Sequence, residues 1–325
     1  MSISSGIAQH THPRGTPINP IRALVVGEAL IDIIETRDGV RRVPGGSPAN
    51  VALGVARLGL PSRLACWIGN DQDGATIRCK LAGSGVTVDG GTAPRTSTAT
   101  AHIDHTGAAT YDFDLLWDLP DLALQPSELA FHTGSIALTQ QPGAVKVQSL
   151  ARAAQPIATI SYDPNARPAI MGDPNHAASQ IDPMWDISDV VKMSNEDAAY
   201  IFDADLSDPS QRTQLADHLL SRAAQLVVFT MGEGGLQAFT REGVVATQAA
   251  IPTKVADTVG AGDTVSAALI AGLARLKLLG ANQRAALGKI REKDLKRLLA
   301  YAARAAAVTV SRPGMQPPRA DEVTF

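Results

Sequence analysis

At 325 residues, with 45 % hydrophobic and 19 % charged side chains, the chain has the balance of one sizeable α/β domain with a small appendage. A net charge of −3, no dense Lys/Arg cluster and only 4 % aromatic residues argue against a nucleic-acid or anionic-membrane partner. Cys66 and Cys79 are too few and too far apart for a metal site or redox pair, and a disulfide between them is not expected.

Residues 1–20 hold Gly6, Pro13, Gly15, Pro17 and Pro20 without an apolar core, so they read as a disordered leader and not a signal peptide. The apolar run Ala23–Val26 predicts a buried strand of a parallel sheet, with Asp32 placed at the end of that first strand. Ala49–Leu58 places Val51, Ala52, Val55 and Leu58 on one helical face, and Gly59 stops it. Ser62–Ile68 reads as a strand and Asp73–Ala82 as a helix ended by Gly83. Ser97–Phe113 alternates polar and apolar residues about a turn at His105-Thr106-Gly107, which predicts a hairpin that projects from the main sheet. Strands are predicted at Leu129–His132, Ile157–Tyr162, Val190–Met193 and Leu226–Thr230, each followed by a helical pattern. The last third, Val265–Leu279 and Lys293–Val310, is helical, with Ala267–Ala274 far short of the ~20 apolar residues of a membrane span. This alternation predicts an α/β fold with a central, mostly parallel sheet. Residues 21–325 are expected to form one domain, and a cytoplasmic location is expected.

Chemistry concentrates in Asp257-Thr258-Val259-Gly260-Ala261-Gly262-Asp263-Thr264, which opens an apolar helix. Amides of Gly260, Ala261 and Gly262 at a helix N-terminus suit an anion, and Asp263 beside them suits a general base. The same stretch read alone also fits a turn with a capping carboxylate. It is not a Walker A loop, because no Lys-Ser/Thr pair follows the glycines. A second segment, Pro44-Gly45-Gly46-Ser47-Pro48-Ala49-Asn50, admits a polar ligand close to the backbone and, with Asp32, offers partners for sugar hydroxyls.

Together these two segments resemble the N- and C-terminal signatures of the ribokinase-like, or PfkB, sugar kinase family. The resemblance extends through Gly27-Glu28-Ala29-Leu30-Ile31-Asp32, Ile68-Gly69-Asn70-Asp71, Asp163-Pro164-Asn165-Ala166-Arg167, Thr230-Met231-Gly232-Glu233-Gly234-Gly235 and Arg312-Pro313-Gly314-Met315. It is strongest toward bacterial fructokinases. It implies a central sheet flanked by helices with a small β lid, formed by about 34–44 and 95–115. It also implies ATP-dependent phosphorylation of a small sugar, fructose first, with Asp263 as base and the Gly260–Gly262 amides as anion hole. By the same resemblance Asp32, Gly45, Gly46 and Asn50 hold the sugar, and Asn165 and Arg167 lie near the phosphate and sugar path. Lys192, Thr230, Gly232 and Gly235 surround ATP, Mg²⁺ rides on its phosphates, and a monovalent cation such as K⁺ lies near Asp257.

Two positions depart from the family pattern. Ser194 stands where an Asn is usual, leaving Asp197 as the carboxylate that reaches Mg²⁺ through water, and Ala303 replaces a frequent Asn. Kinases for 2-keto-3-deoxygluconate, a pentose or a nucleoside are rival readings, as is a catalytically silent sugar- or nucleotide-binding regulator. A dinucleotide-binding redox enzyme is excluded, because no Gly-x-Gly-x-x-Gly follows the first strand. A homodimer through the lid is expected on edge-burial grounds. His102 and His105 read as solvated, His132 as equally a pocket residue or not, Trp117 and Trp185 as packing, and Lys289–Arg297 as a solvated helix face.

Overall fold

The computed structural model describes residues 21–37, 39–103 and 109–325. The expected leader, its His10 and His12, and the turn His105-Thr106-Gly107 lie outside the described residues. In chain order the elements are β1 (Arg22–Val26), β2 (Leu30–Thr36), β3 (Gly39–Gly45), α1 (Ser47–Arg57), β4 (Ser62–Gly69), α2 (Gln72–Ala82), β5 (Val86–Ala93), β6 (Thr98–Ile103), β7 (Ala109–Asp114) and β8 (Glu128–Gly134). There follow α3 (Gly143–Ala154), β9 (Thr159–Asp163), α4 (Pro168–Met171), α5 (Pro174–Trp185), β10 (Val190–Ser194), α6 (Asn195–Phe202), α7 (Pro209–Ser221), β11 (Leu226–Thr230), β12 (Leu236–Thr240) and β13 (Val245–Gln248). The chain closes with α8 (Ala261–Arg275), α9 (Arg284–Gly288) and α10 (Glu292–Val310).

Nine strands form one sheet in the order β13-β12-β11-β10-β9-β8-β1-β4-β5, parallel from β11 to β5 and antiparallel only at the β12 and β13 edge. Along β1 the period-two alternation sorts side chains between two cores. Ala23 and Val25 pack with α1, α8 and α10, whereas Leu24 and Val26 pack with α3, α5 and α7. A central strand buried on both faces must be apolar throughout, which is why Ala23–Val26 carries no polar residue.

A second sheet has the order β3-β2-β6-β7, with β2 and β6 parallel. The segments expected to form a lid fall largely within it. Asp32 belongs to this sheet, as the third residue of β2, and not to the end of the first strand. The chain reverses at Gly27, and the apolar run Leu30–Ile34 that reads as a continuation of β1 is a separate strand. Two further expectations are corrected. β11 is followed by the β12–β13 hairpin and not by a helix, and β5 was not foreseen, because its Asp89-Gly90-Gly91 stretch breaks the apolar alternation. Among the described residues no helix is long and apolar enough to cross a membrane.

At the amino-terminal edge of the large sheet, Arg63 on β4 is 3 % exposed and binds Glu128 of β8 through Nε and Nη2 at 2.7 and 3.0 Å. Its remaining donors reach Asp89 and the Ala123 carbonyl at 2.8 and 2.9 Å. A buried pair of this kind is expensive to break from one side, because a charge is left stranded. Arg63→Met is therefore expected to lower unfolding stability by about 3–5 kcal/mol. Urea unfolding checks this, and substrate KM should be unchanged where the variant is folded, since Arg63 lies at the edge away from the site.

Candidate active site

The α8 helix begins at Gly260, whose left-handed φ of 76° a side chain would resist. The N–H groups of Gly260, Gly262 and Asp263 meet no acceptor among the described residues, whereas that of Ala261 makes a long bond to the Thr258 carbonyl at 3.2 Å. Free amides and the positive end of the helix dipole thus face the same space, which suits an anion. Asp263, in this first turn, is only 7 % exposed.

Its carboxylate is held from α1. Ser47 Oγ donates to Oδ1 at 2.7 Å and Asn50 Nδ2 donates to Oδ2 at 2.8 Å. Residues three apart share a helix face, so one turn of α1 grips both oxygens. The two helices can approach because Gly54 carries no side chain where Ala267 of α8 comes in; a Cβ there would lie 2.7 Å from that of Ala267. Burial raises the Asp263 pKa, the Ser47 and Asn50 hydrogen bonds pull it down, and the charge of Asp163 adds to the rise. The net direction is upward, toward a stronger base.

Beneath this turn lies a buried ion pair. Lys192 Nζ sits 3.2 and 3.0 Å from the two oxygens of Asp163, and Ser266 Oγ donates to Asp163 Oδ2 at 2.9 Å. Burial disfavours the Lys192 ammonium, but the charges of Asp163 and Asp197 outweigh it and its pKa is raised. The amine lies 3.0 Å from where a Cβ of Gly262 would stand, so a fixed positive charge faces the same amide-lined space.

On the other side, Asp32 stands against Gly45, where a Cβ would fall 2.0 Å from Oδ2, so a side chain there would displace the Asp32 carboxylate. Burial pushes the Asp32 carboxyl up to about 6, against the pull of Arg167 and Lys80 and with the added push of Asp263. Lys80 is fixed by its bond to the Pro44 carbonyl at 3.2 Å. Arg167 is exposed, bonded through Nη1 only to the carbonyls of Asn165 and Ala166, and its charge acts on Asp32 and Asp263 alike. Asn165 has a φ of 39°, and its buried Nδ2 is without a partner among the described residues.

Thr230 ends β11 and the loop after it carries Gly232 and Gly235, closed by the Met231 amide on the Gly235 carbonyl at 2.9 Å. Asp197 is tied more tightly than its expected metal role suggests. Its Oδ1 accepts from the Ala166 amide at 2.6 Å and its Oδ2 from the Ser194 amide at 2.8 Å, while Ser194 Oγ accepts from the Asp197 amide at 3.1 Å. This is a capping box at the start of α6, and it gives Ser194 a structural reason. Asp257 likewise accepts from the Val259 and Gly314 amides at 3.0 and 2.9 Å, which ties the signature loop to the closing segment. His132 is 1 % exposed within the sheet and bonds Ser161 across to β9 at 3.0 Å, so it does not line the pocket. Burial and the Lys192 charge push its pKa down to about 3. Trp117 and Trp185 are buried packing residues, as expected.

Sequence reasoning placed Asn50 toward the sugar and passed over Ser47, Asp163, Ser266 and Lys80 as site residues. The Ser47-x-x-Asn50 spacing at a helix start was the available signal for the first. For Asp163 and Ser266, 103 residues apart, there was none.

The profile of the pfkB family carbohydrate kinases matches residues 21–322. The fructokinase of Klebsiella pneumoniae is 34 % identical over 265 residues, covering 77 % of this chain and 83 % of that protein. Fructokinase-2 of Solanum habrochaites is 30 % identical over 314 residues, covering 90 % of each. Among solved structures, a fructokinase from Xylella fastidiosa with bound ATP superposes with a TM-score of 0.80 at 26 % identity, covering 93 % of this chain and 96 % of that one.

Removing the Lys192 charge leaves Asp163 buried with only Ser266 as donor. Lys192→Met is expected to lower stability by about 3–5 kcal/mol, measured by urea unfolding, whereas a surface lysine replaced likewise should change little.

Proposed function

This chain belongs to the pfkB family of carbohydrate kinases, and from that premise we propose that it phosphorylates fructose with Asp263 as the catalytic base. The chain is an ATP-dependent sugar kinase; fructose, and the role of each residue, is our reading. The observation that carries it is the ionisable carboxylate of Asp263, buried and gripped by Ser47 and Asn50, beside the free amides of Gly260 and Gly262.

In this reading Asp32, with the Gly45-Gly46 turn, binds sugar hydroxyls and sets one hydroxyl against Asp263. Its proton passes to the carboxylate as its oxygen forms the new bond to the γ-phosphorus. The bond from that phosphorus to the β,γ-bridging oxygen breaks, and the electron pair leaves with ADP. The transferred phosphoryl carries charge on its equatorial oxygens, which the Gly260 and Gly262 amides and Lys192 stabilise in a site that needs no reorganisation. Thr230, Gly232 and Gly235 border the nucleotide, and Asn165 and Arg167 the phosphate path.

Among the described residues no three His, Cys, Asp or Glu side chains gather to hold a metal ion. That fits Mg²⁺ carried on nucleotide phosphates and water, neutralising their charge, with Asp197 in contact only through water. A K⁺ beside Asp257 extends the reading, with the loop carbonyls around that carboxylate as its natural ligands. The small sheet supports its expected roles as lid and dimer surface, since Tyr111 stacks on Phe113 at 6.0 Å and is 57 % exposed.

A second reading, a sugar-acid kinase, is favoured by Arg167, whose guanidinium is bonded among the described residues only to main-chain carbonyls and so can turn to a substrate carboxylate. ADP release measured with ATP and Mg²⁺ across sugars, sugar acids and nucleosides separates the two. Turnover highest with fructose supports the proposal, turnover confined to acids supports the second reading, and binding without any turnover would indicate a silent regulator.

Asp263→Asn is expected to lower kcat by about 10²–10⁴, read in the same assay, with full activity removing the basis of the proposal. Asn50→Ala removes a donor that holds the Asp263 pKa down, so that pKa rises further. The base must be ionised to act, and the acid limb of the kcat profile should therefore move to higher pH; a move to lower pH would contradict the assignment.

A further inference from the structure

Glu28 is a buried carboxyl for which the mechanism above has no use. It lies just past the carboxyl end of β1, the edge at which ligand sites of parallel sheets gather. It is 6 % exposed, and its Oε2 is sealed from solvent with no hydrogen-bond partner among the described residues. Its main-chain carbonyl is 2.6 Å from where a Cβ of Gly46 would stand, which sets the residue against the Gly45-Gly46 turn. Ser135 after β8, Arg167 after β9 and Asp263 of α8 all act on its charge. These are the segments that converge on the sugar pocket. Buried polar atoms in native proteins are satisfied with few exceptions, and leaving one bare is costly. Ser135 and the backbone hydrogen-bond the Glu28 carboxyl, and its Oε2 is left for a further partner.

We propose that Glu28 is a further substrate-binding residue, whose carboxyl hydrogen-bonds a hydroxyl of the bound sugar other than the one Asp32 holds. The inference rests on the sugar-kinase reading and adds a second carboxyl to its binding site.

The protonation state follows from the surroundings. Burial pushes the Glu28 carboxyl up to about 7, against the Ser135 hydroxyl, its own backbone and Arg167, and the Asp263 charge pushes the same way. Below that pH the neutral acid donates to a sugar oxygen. Above it, a further negative charge joins Asp263 and Asp32 in a pocket that must also receive the anionic nucleotide. Sugar affinity should therefore be full below about 7 and decline as the pH rises through it. Asp32, raised to about 6 against the pull of Arg167 and Lys80, and Asp263, raised by burial, face the same pocket, and the His132 imidazole beneath is pushed down to about 3, so only the Glu28-dependent part of the profile is expected to vanish in Glu28→Gln.

The test is steady-state kinetics of the wild-type enzyme, Glu28→Gln and Glu28→Ala from pH 5.5 to 8.5, with KM for sugar and for ATP determined separately and thermal unfolding in parallel. The wild-type sugar KM should rise several-fold, by roughly one hydrogen bond's worth, from pH 6 to 8. In Glu28→Gln, which still donates but cannot ionise, the Glu28-dependent part of that rise should vanish. In Glu28→Ala the sugar KM should rise about 10- to 100-fold at pH 6 while the ATP KM stays put. Sugar KM unaffected in both variants would overturn the inference, as would sugar and ATP KM rising together in step with lost thermal stability, the mark of a structural role. A wild-type enzyme that turned over no sugar would refute the proposed function, and this inference with it; turnover with unaltered Glu28 variants refutes the inference alone.

Discussion

The grip of Ser47 and Asn50 on the Asp263 carboxylate is the constraint around which the site is arranged. It joins the first turns of two helices whose starting residues lie more than two hundred positions apart, and both turns follow a glycine reversal. For the contact to form, α1 and α8 must cross closely, which Gly54 and Ala267 allow. The same contact aims the amino end of α8, with its free Gly260 and Gly262 amides, at the space beside the carboxylate. The buried carboxylate and the free amides are thus fixed by one helix start, and neither can shift without the other.

Charge is arranged around that point in two tiers. Below the turn, Lys192, Asp163 and Ser266 form a buried, mutually bonded set in which the ammonium and the carboxylate balance each other. Beside it, Asp32, Glu28 and Asp263 form an acidic pocket answered only by Arg167 at its mouth and Lys80 behind Asp32. Burial raises the pKa of each of these three carboxyls, and crowding raises it further. The pocket suits a neutral, hydroxyl-rich substrate on one side and a polyanionic donor on the other. The small sheet contributes Asp32 and Gly45 to this pocket, so the pocket and the placement of that sheet are one structural matter.

Much of this was legible in the residues. The alternation of apolar strands and helical patterns foretold a parallel sheet, and Gly260-Ala261-Gly262-Asp263 ahead of an apolar helix marked the turn where the free amides and the buried carboxylate lie together. One error has a clear physical origin. Leu30–Ile34 reads as more of β1 because hydrophobicity says nothing about which sheet a strand joins, so Asp32 is placed on the wrong strand. The two backbone amides that Asp197 accepts leave no mark in the sequence, where its water-mediated approach to Mg²⁺ is what the family resemblance implies. Glu28 was quoted only as part of a resemblance, since an acidic residue after a strand is by default solvated.

What the sequence alone determined is what local forces set: the alternation of apolar strands with helices over most of the chain, the starts of the helices after Gly46 and Gly260, the turns that need glycine, and the residue types a phosphoryl-transfer site requires. Backbone sterics and side-chain periodicity act over a few residues and can be read there. The tertiary structure decided the rest: that Ser47 and Asn50 face Asp263, that Ser266 and Lys192 meet Asp163, that Asp32 comes from the second sheet, and that Glu28 is buried with its Oε2 unpartnered among the described residues. Those facts depend on how the crossovers bring distant strand ends to one edge, and on the burial that follows. Desolvation, which moves the pKa of each of these carboxyls, exists only once the chain has closed around it.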